Sequence, residues 1–143
     1  MEKLPITGLG VIIQNNYGEV LFGKRKGSHA PYYSIPGGKL EKGETFEDGA
    51  AREVFEEHGI NIQNPRVIAV TNNLQTFRSE GLHSISIILL ASSFVGEPVI
   101  KEPDKCEDII WAKPDNLPQP HFEASRLAIE CYLTNNFYVG TTE

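Results

Sequence analysis

Apolar positions along the chain repeat with two different periods, and the switches between them predict the elements. Residues 7–14 (TGLGVIIQ) are an aliphatic run of strand length. The turn signal Asn15-Asn16-Tyr17-Gly18 follows and residues 19–24 return as a second strand, so the pair predicts a hairpin. Over residues 46–58 the period becomes helical, with Ala50, Ala51, Val54 and Phe55 on one side. Thr45 with Asp48 three residues on marks the start of that helix, and Gly59 marks its stop. Further on, residues 61–64 read as a loop, 66–77 (RVIAVTNNLQTF) as a long bent strand and 78–82 as a turn. Residues 83–94 (HSISIILLASSF) carry the strongest strand pattern. A loop rich in proline and acid occupies 96–107, and a short strand at 108–112 holds the only tryptophan, Trp111. After a loop at 114–120, residues 122–137 show helical spacing through Ala124, Leu127, Ala128, Cys131 and Tyr132. Residues 140–143 are expected to fray.

Strands, a helix, strands and a helix in that order predict one α+β domain over residues 1–143, with a mixed sheet covered on both faces. A hydrophobic share of 40% and a charged share of 22% are ordinary for a soluble globular protein. Neither a run of 18 apolar residues nor a signal-peptide pattern stands out, so a cytoplasmic location is expected. The net charge of −6 argues against a nucleic-acid polymer or a membrane as partner. It is compatible with a small phosphorylated substrate, because a bound metal reverses the local sign. Cys106 and Cys131 have neither disulfide-framework nor zinc spacing and read as reduced thiols.

The residues that carry chemistry concentrate in one stretch, GKLEKGETFEDGAAREVFEEHGI, which begins at Gly38 and ends at Ile60. At 100° per residue, Glu53, Glu56 and Glu57 fall within an arc of roughly 100°. Like charges so placed weaken a helix by tenths of a kcal/mol per close pair. A hard divalent cation removes that cost, and all-oxygen ligation suits Mg²⁺ or Mn²⁺. Taken alone, E-x-x-E-E reads first as a solvated acidic face. The whole stretch resembles the Nudix box, G-x5-E-x7-R-E-U-x-E-E-x-G-U with U aliphatic. Gly38, Glu44, Arg52, Glu53, Val54, Glu56, Glu57, Gly59 and Ile60 meet it without departure. At background frequencies of roughly 7% each, its fixed residues would coincide about once in ~10⁸ windows.

That resemblance implies a Nudix fold: an α/β/α sandwich with a mixed sheet and the box as a loop-helix-loop. It also implies Mg²⁺-dependent hydrolysis of a nucleoside triphosphate, plain or oxidised, to the monophosphate and diphosphate. The implied metal ligands are Glu53 and Glu57, then Glu56 and the carbonyl of Gly38, while Glu44 and Arg52 form an ion pair that ties loop to helix. A further acid outside the box is implied as ligand or base, Glu102 first and Glu107 as the runner-up. GKRKGS, VTNN, EPDKCE and LPQPHF extend the similarity to small cytosolic MutT-like nucleoside triphosphate diphosphatases. By that similarity Arg25 contacts phosphate, and Ser34, His121 and Phe122 lie towards the base. Ser34 stands where other members carry Gln or Glu, and His121 where relatives carry Leu or Asn, so the base preference stays open. The alternatives are a pterin triphosphate or a non-nucleotide diphosphate as substrate, or a domain that senses a nucleotide without cutting it. Monomer and homodimer are both compatible with the sequence.

Overall fold

The computed structural model describes residues 4–140. Strand β1 (Ile6–Ile13) lies parallel to β7 (Ser84–Ala91) over its whole length, from Ile6 opposite Ser84 to Ile13 opposite Ala91. Strand β4 (Gly37–Lys39) flanks β1 and β6 (Arg66–Asn72) flanks β7, both antiparallel, which makes a mixed sheet in the order β4-β1-β7-β6. A second sheet has the order β3-β2-β9, from β2 (Val20–Arg25), β3 (Tyr33–Ser34) and β9 (Cys106–Ala112). Strands β5 (Asn61–Gln63) and β8 (Ser93–Val95) form a two-stranded ribbon.

Side-chain alternation on β1 and β7 divides the core. Leu9, Val11, Ile13, Leu89 and Ala91 cluster with Ala50 and Val54 of helix α1 (Phe46–His58). Ile12, Ile88 and Leu90 cluster with Val20, Phe22 and Ala128, Ile129 and Cys131 of helix α3 (Glu123–Thr134). Each fully buried aliphatic side chain contributes about 1.5–3 kcal/mol, so α1 and α3 are both held by the sheet they cover. The result is the expected α/β/α sandwich.

Helix α1 begins and ends where its sequence says it should. Thr45 Oγ1 accepts the N–H of Asp48 at 3.0 Å, and Gly59 adopts φ 69 while its N–H reaches the Phe55 carbonyl. Other elements differ from expectation. The strands at 7–14 and 19–24 touch through one bridge, Gln14 to Val20, and then part into different sheets, because β2 takes β9 and β3 as its partners. Residues 61–63 are not a loop; they pair with β8, and the 83–94 strand is divided in two so that β8 can reach them. The long strand at 66–77 stops at Asn72, and residues 74–80 coil into helix α2 (Leu74–Glu80), ended by Gly81 at φ 75. The side chain of Asn73 anchors that switch, bonding to Thr71, Ser84 and Ser86. Strand β9 starts two residues before expectation, and the last helix is shorter than 122–137. Of the residues expected to fray, 141–143 lie outside the described residues. Among the described residues no helix is long and apolar enough to cross a membrane.

Candidate active site

The edge strand β4 and helix α1 meet at Gly37 and Gly38. The Gly37 N–H donates to Glu57 Oε1 at 3.0 Å, fixing that carboxylate against the turn. Gly38 has no room for a side chain: a Cβ there would lie 2.3 Å from the carboxylate of Glu53. Only glycine lets the two box carboxylates lie against main chain. Burial pushes the Glu57 carboxyl up to about 8, with Glu53 and Glu102 adding to the rise and the Gly37 N–H and Arg25 opposing it. Burial also raises Glu53, against the pull of Arg52.

Arg52 organises this acidic face. Its Nε and Nη2 grip Glu44 at 2.7 and 3.0 Å, a bidentate pair between helix and loop. Its Nη1 donates to Glu53 Oε1 at 2.8 Å and to Glu56 Oε1 at 3.1 Å, and Nη2 also reaches the Lys39 carbonyl at 3.1 Å. Hydrogen bonding from Arg52 holds the Glu44 carboxyl down at about 2, helped by the Glu41 N–H, and the guanidinium is raised in return.

The two acids outside the box are placed differently. The segment before Glu102 zips onto the end of α1, Val99 N–H to the His58 carbonyl and Lys101 N–H to that of Glu57. His58 is buried and its Nδ1 bonds the Val99 carbonyl at 3.0 Å, which strengthens the join. This carries Glu102 close enough to raise both Glu53 and Glu57. Glu107 stands on β9 and pairs with Lys24 at 3.9 Å. Arg25, at the end of β2, lies near enough to Glu57 to lower its carboxyl.

A cation fits this donor set. The charge of Glu102 raises both Glu53 and Glu57, and that of Glu53 raises Glu57, so positive charge among them would relieve the repulsion. Carboxylate and carbonyl oxygens are what a hard divalent ion takes. Among the described residues no group of three or more acidic, histidine or cysteine side chains is already placed to hold a metal ion.

The residues expected towards the base have distinct environments. Ser34 is buried on β3. His121 spends both ring nitrogens inside the protein, Nδ1 with the Pro118 carbonyl at 3.0 Å and Nε2 with Ser125 Oγ at 2.9 Å. The carbonyl only accepts, so Nδ1 carries the proton and Nε2 receives the Ser125 hydroxyl. Phe122 caps α3 and lies 4.7 Å from the ring of His29. His29 in turn contacts Glu80 at the end of α2, Nε2 to Oε1 at 2.8 Å. His29, Ser84 and Ser86 were not singled out from sequence, and Thr71 and Asn73 entered only within the VTNN similarity. The alternation His83-Ser84-Ile85-Ser86-Ile87, polar on one face within an apolar strand, is the signal that could have drawn attention to the serines. A cavity of about 310 Å³ lies away from the box, between α2 and α3, lined by Asn73, Thr76, Glu123, Leu127 and Glu130 among others.

Comparison with known proteins agrees with this geometry. A family model described as the NUDIX domain matches residues 5–130. A MutT NUDIX hydrolase from Burkholderia pseudomallei is 34% identical, with a TM-score of 0.82 over 90% of this chain and 98% of its own. The MutT protein of Methanosarcina mazei Go1 shares the fold at 24% identity, with a TM-score of 0.76 over 94% and 96% of the two chains. A protein of Yersinia enterocolitica named RNA pyrophosphohydrolase is 42% identical over 65 residues. That match spans 46% of this chain and 36% of the relative, so the similarity covers about a third of the relative's length.

Proposed function

The chain belongs to the Nudix family, and from that premise we propose that it is a pyrophosphohydrolase acting on a nucleoside triphosphate with Mg²⁺ (or Mn²⁺), releasing the monophosphate and diphosphate. The observation that carries this reading is the placement of Glu53 and Glu57 against the Gly37–Gly38 turn, with the charge of Glu102 acting on both and that of Arg25 on Glu57.

Glu53, Glu56, Glu57, Glu102 and the Gly38 carbonyl would hold the divalent ion. Bound there, it supplies neutralisation of the diphosphate charge and acidification of the attacking water. Arg25 binds and orients the phosphates. The Gly37 N–H keeps Glu57 against the turn, and Arg52 anchored on Glu44 keeps Glu53 and Glu56 in register, so the acidic face is organised before substrate arrives. Glu102, on a segment tied to the end of α1, accepts the proton of the attacking water as its oxygen adds to the phosphorus. Phe122 stacks on the base. His121 acts from behind, holding the approach to α3 through Ser125. The whole of residues 1–143 acts as one domain in this reading.

The relatives named RNA pyrophosphohydrolase motivate one added substrate in the test, an RNA carrying a 5′-triphosphate. The panel otherwise comprises common and oxidised nucleoside triphosphates, a pterin triphosphate and a prenyl diphosphate, with phosphate products measured with and without Mg²⁺. Turnover of nucleoside triphosphates that needs the metal is expected. Turnover confined to another substrate, or none with any metal, would overturn the proposal.

A further inference from the structure

An α-helix leaves the carbonyls of its last turn without partners inside the helix. At the end of α1 the Gly59 N–H takes the Phe55 carbonyl, and two others are filled from a distant segment: Val99 N–H donates to His58 at 3.0 Å and Lys101 N–H to Glu57 at 3.1 Å. Residues 99–101 thus lie along the helix end, bonded through alternate residues, and Glu102 is the next residue in line. The charge of Glu102 is felt by Glu53, Glu57 and His58, all in the last two turns of that helix.

Two side-chain contacts reinforce this join, one buried and one at the surface. His58 is 3% exposed and bonds the Val99 carbonyl through Nδ1 at 3.0 Å; a carbonyl only accepts, so Nδ1 carries the proton. Val99 is therefore held by both its main-chain N–H and its main-chain carbonyl. At the surface, the ammonium of Lys101 sits 4.3 Å from the centre of the Phe55 ring, within cation–π range. The Lys101 stem crosses the helix end, where a Cβ on Gly59 would lie 3.3 Å from its Cδ. Phe55 has the helical spacing of the residues that face the sheet, yet it is 44% exposed and belongs to neither core cluster. Its ring is spent on Lys101 rather than on the core. Both Phe55 and His58 stand at variable positions of the box.

We infer that His58 and the Lys101–Phe55 pair are positioning residues for Glu102: they clamp residues 99–101 to the helix that carries the box acids, and so fix where the Glu102 carboxylate stands. Lys101 directly precedes Glu102, so a shift of the segment is passed to the carboxylate. A misplacement of about 1 Å can cost as much as ~100-fold in rate. The clamp ties the group that takes the proton to the same rigid element as Glu53 and Glu57, and its members act through Glu102 without touching substrate. This inference rests on the pyrophosphohydrolase reading given above, with Glu102 in that role.

Amide hydrogen exchange of the metal-free full chain, and steady-state kinetics at saturating Mg²⁺, test it alongside thermal melts. Lys101→Ala and Phe55→Ala should each reduce the protection of the amides at 99 and 101 by about threefold, the size of an exposed cation–π contact. Each should lower kcat by a similar factor with KM unchanged, and the double variant should be no worse than either single one. Both positions are at the surface, so the melting temperature should hold. Lys101→Arg and Phe55→Tyr keep the contact and should match wild type. His58→Leu should cost about 10-fold in both readouts, the size of one buried hydrogen bond. His58→Asn, whose amide N–H replaces that of Nδ1, should recover most of the loss. In a Glu102→Gln background the same substitutions should leave kcat where Glu102→Gln alone puts it. Unchanged exchange in both Lys101→Ala and Phe55→Ala would overturn the inference. So would kcat losses that persist in full in the Glu102→Gln background, since the residues would then act on substrate directly. A wild type without turnover, or a Glu102→Gln variant with undiminished kcat, would instead remove the reading beneath it, and the inference with it.

Discussion

Glu57 and Glu102 illustrate how one residue type takes different tasks from its surroundings. Glu57 is buried against main chain, where its charge is costly unless a cation shares it. Glu57→Gln and Glu53→Gln are therefore expected to lower kcat by about 10³-fold or more, and to abolish the rise in melting temperature expected of wild type with Mg²⁺. Undiminished kcat at saturating Mg²⁺ in either variant would remove it from the ligand set. Glu102 is held beside these acids by the 99–101 segment, while Glu107 points to Lys24. Glu102→Gln should reduce kcat by about 10- to 1000-fold with little change in stability, and Glu107→Gln by less than threefold. The reverse ranking, measured at saturating substrate and metal, would transfer the role to Glu107. Sequence placed Glu102 and Glu107 in one loop without geometry to choose between them; the backbone bonds to the end of α1 separate them.

At the level of elements, α1 is the rigid part on which the site is assembled, and Arg52 is its fastening. The guanidinium joins Glu44 in the loop to Glu53 and Glu56 on the helix, so losing either end loosens the same unit. Arg52→Ala and Glu44→Ala should each lower kcat/KM and reduce the melting temperature by about 3–6 °C. The double variant should be little worse than the worse single one. Fully additive losses in a double-mutant cycle would mean that the two side chains act independently. This helix was legible in the sequence because local signals agree there: a Thr45 cap, an apolar stripe and a Gly59 stop. Helix α2 was not legible. Its seven residues are too few to show a period, and the side chain that turns β6 into it, Asn73, acts through partners on a strand eleven and thirteen residues away. The polar cluster beneath α2 was hidden for the same reason.

On the scale of the whole molecule, the order of elements and the two-sided burial of β1 and β7 followed from pattern, and the sandwich itself from the family resemblance. The division into two sheets did not follow. Whether β2 stays beside β1 depends on what β9 offers it from 81 to 92 residues away, and no local turn signal reports that. The second sheet is joined to α3 through a relay that ends at His121. The Ile35 N–H donates to Ser125 Oγ at 3.0 Å, Ser125 donates to His121 Nε2, and His121 Nδ1 donates to the Pro118 carbonyl, while Phe22 meets the ring edge-on at 5.2 Å. The bond from Ser125 requires the neutral imidazole, because a protonated Nε2 cannot accept it. Burial lowers the pKa of His121 below its usual 6.5, and the nearby Arg126 adds to that, against the Pro118 bond. The unfolded chain therefore binds the proton more readily than the folded one. The contribution of the relay is present above about pH 6.5 and is lost as pH falls through the lowered value in the folded state. Glu57, raised rather than lowered, acts in the opposite sense, so the raw melting curve mixes the two. The difference between wild type and His121→Gln isolates the histidine, since Glu57 is common to both. Wild type is expected to melt higher than the variant at pH 7.5, with the gap narrowing steadily towards pH 5. A gap that is constant over that range would show that the ring of His121 does not change its protonation on unfolding, and that the relay is not what holds α3 to the second sheet.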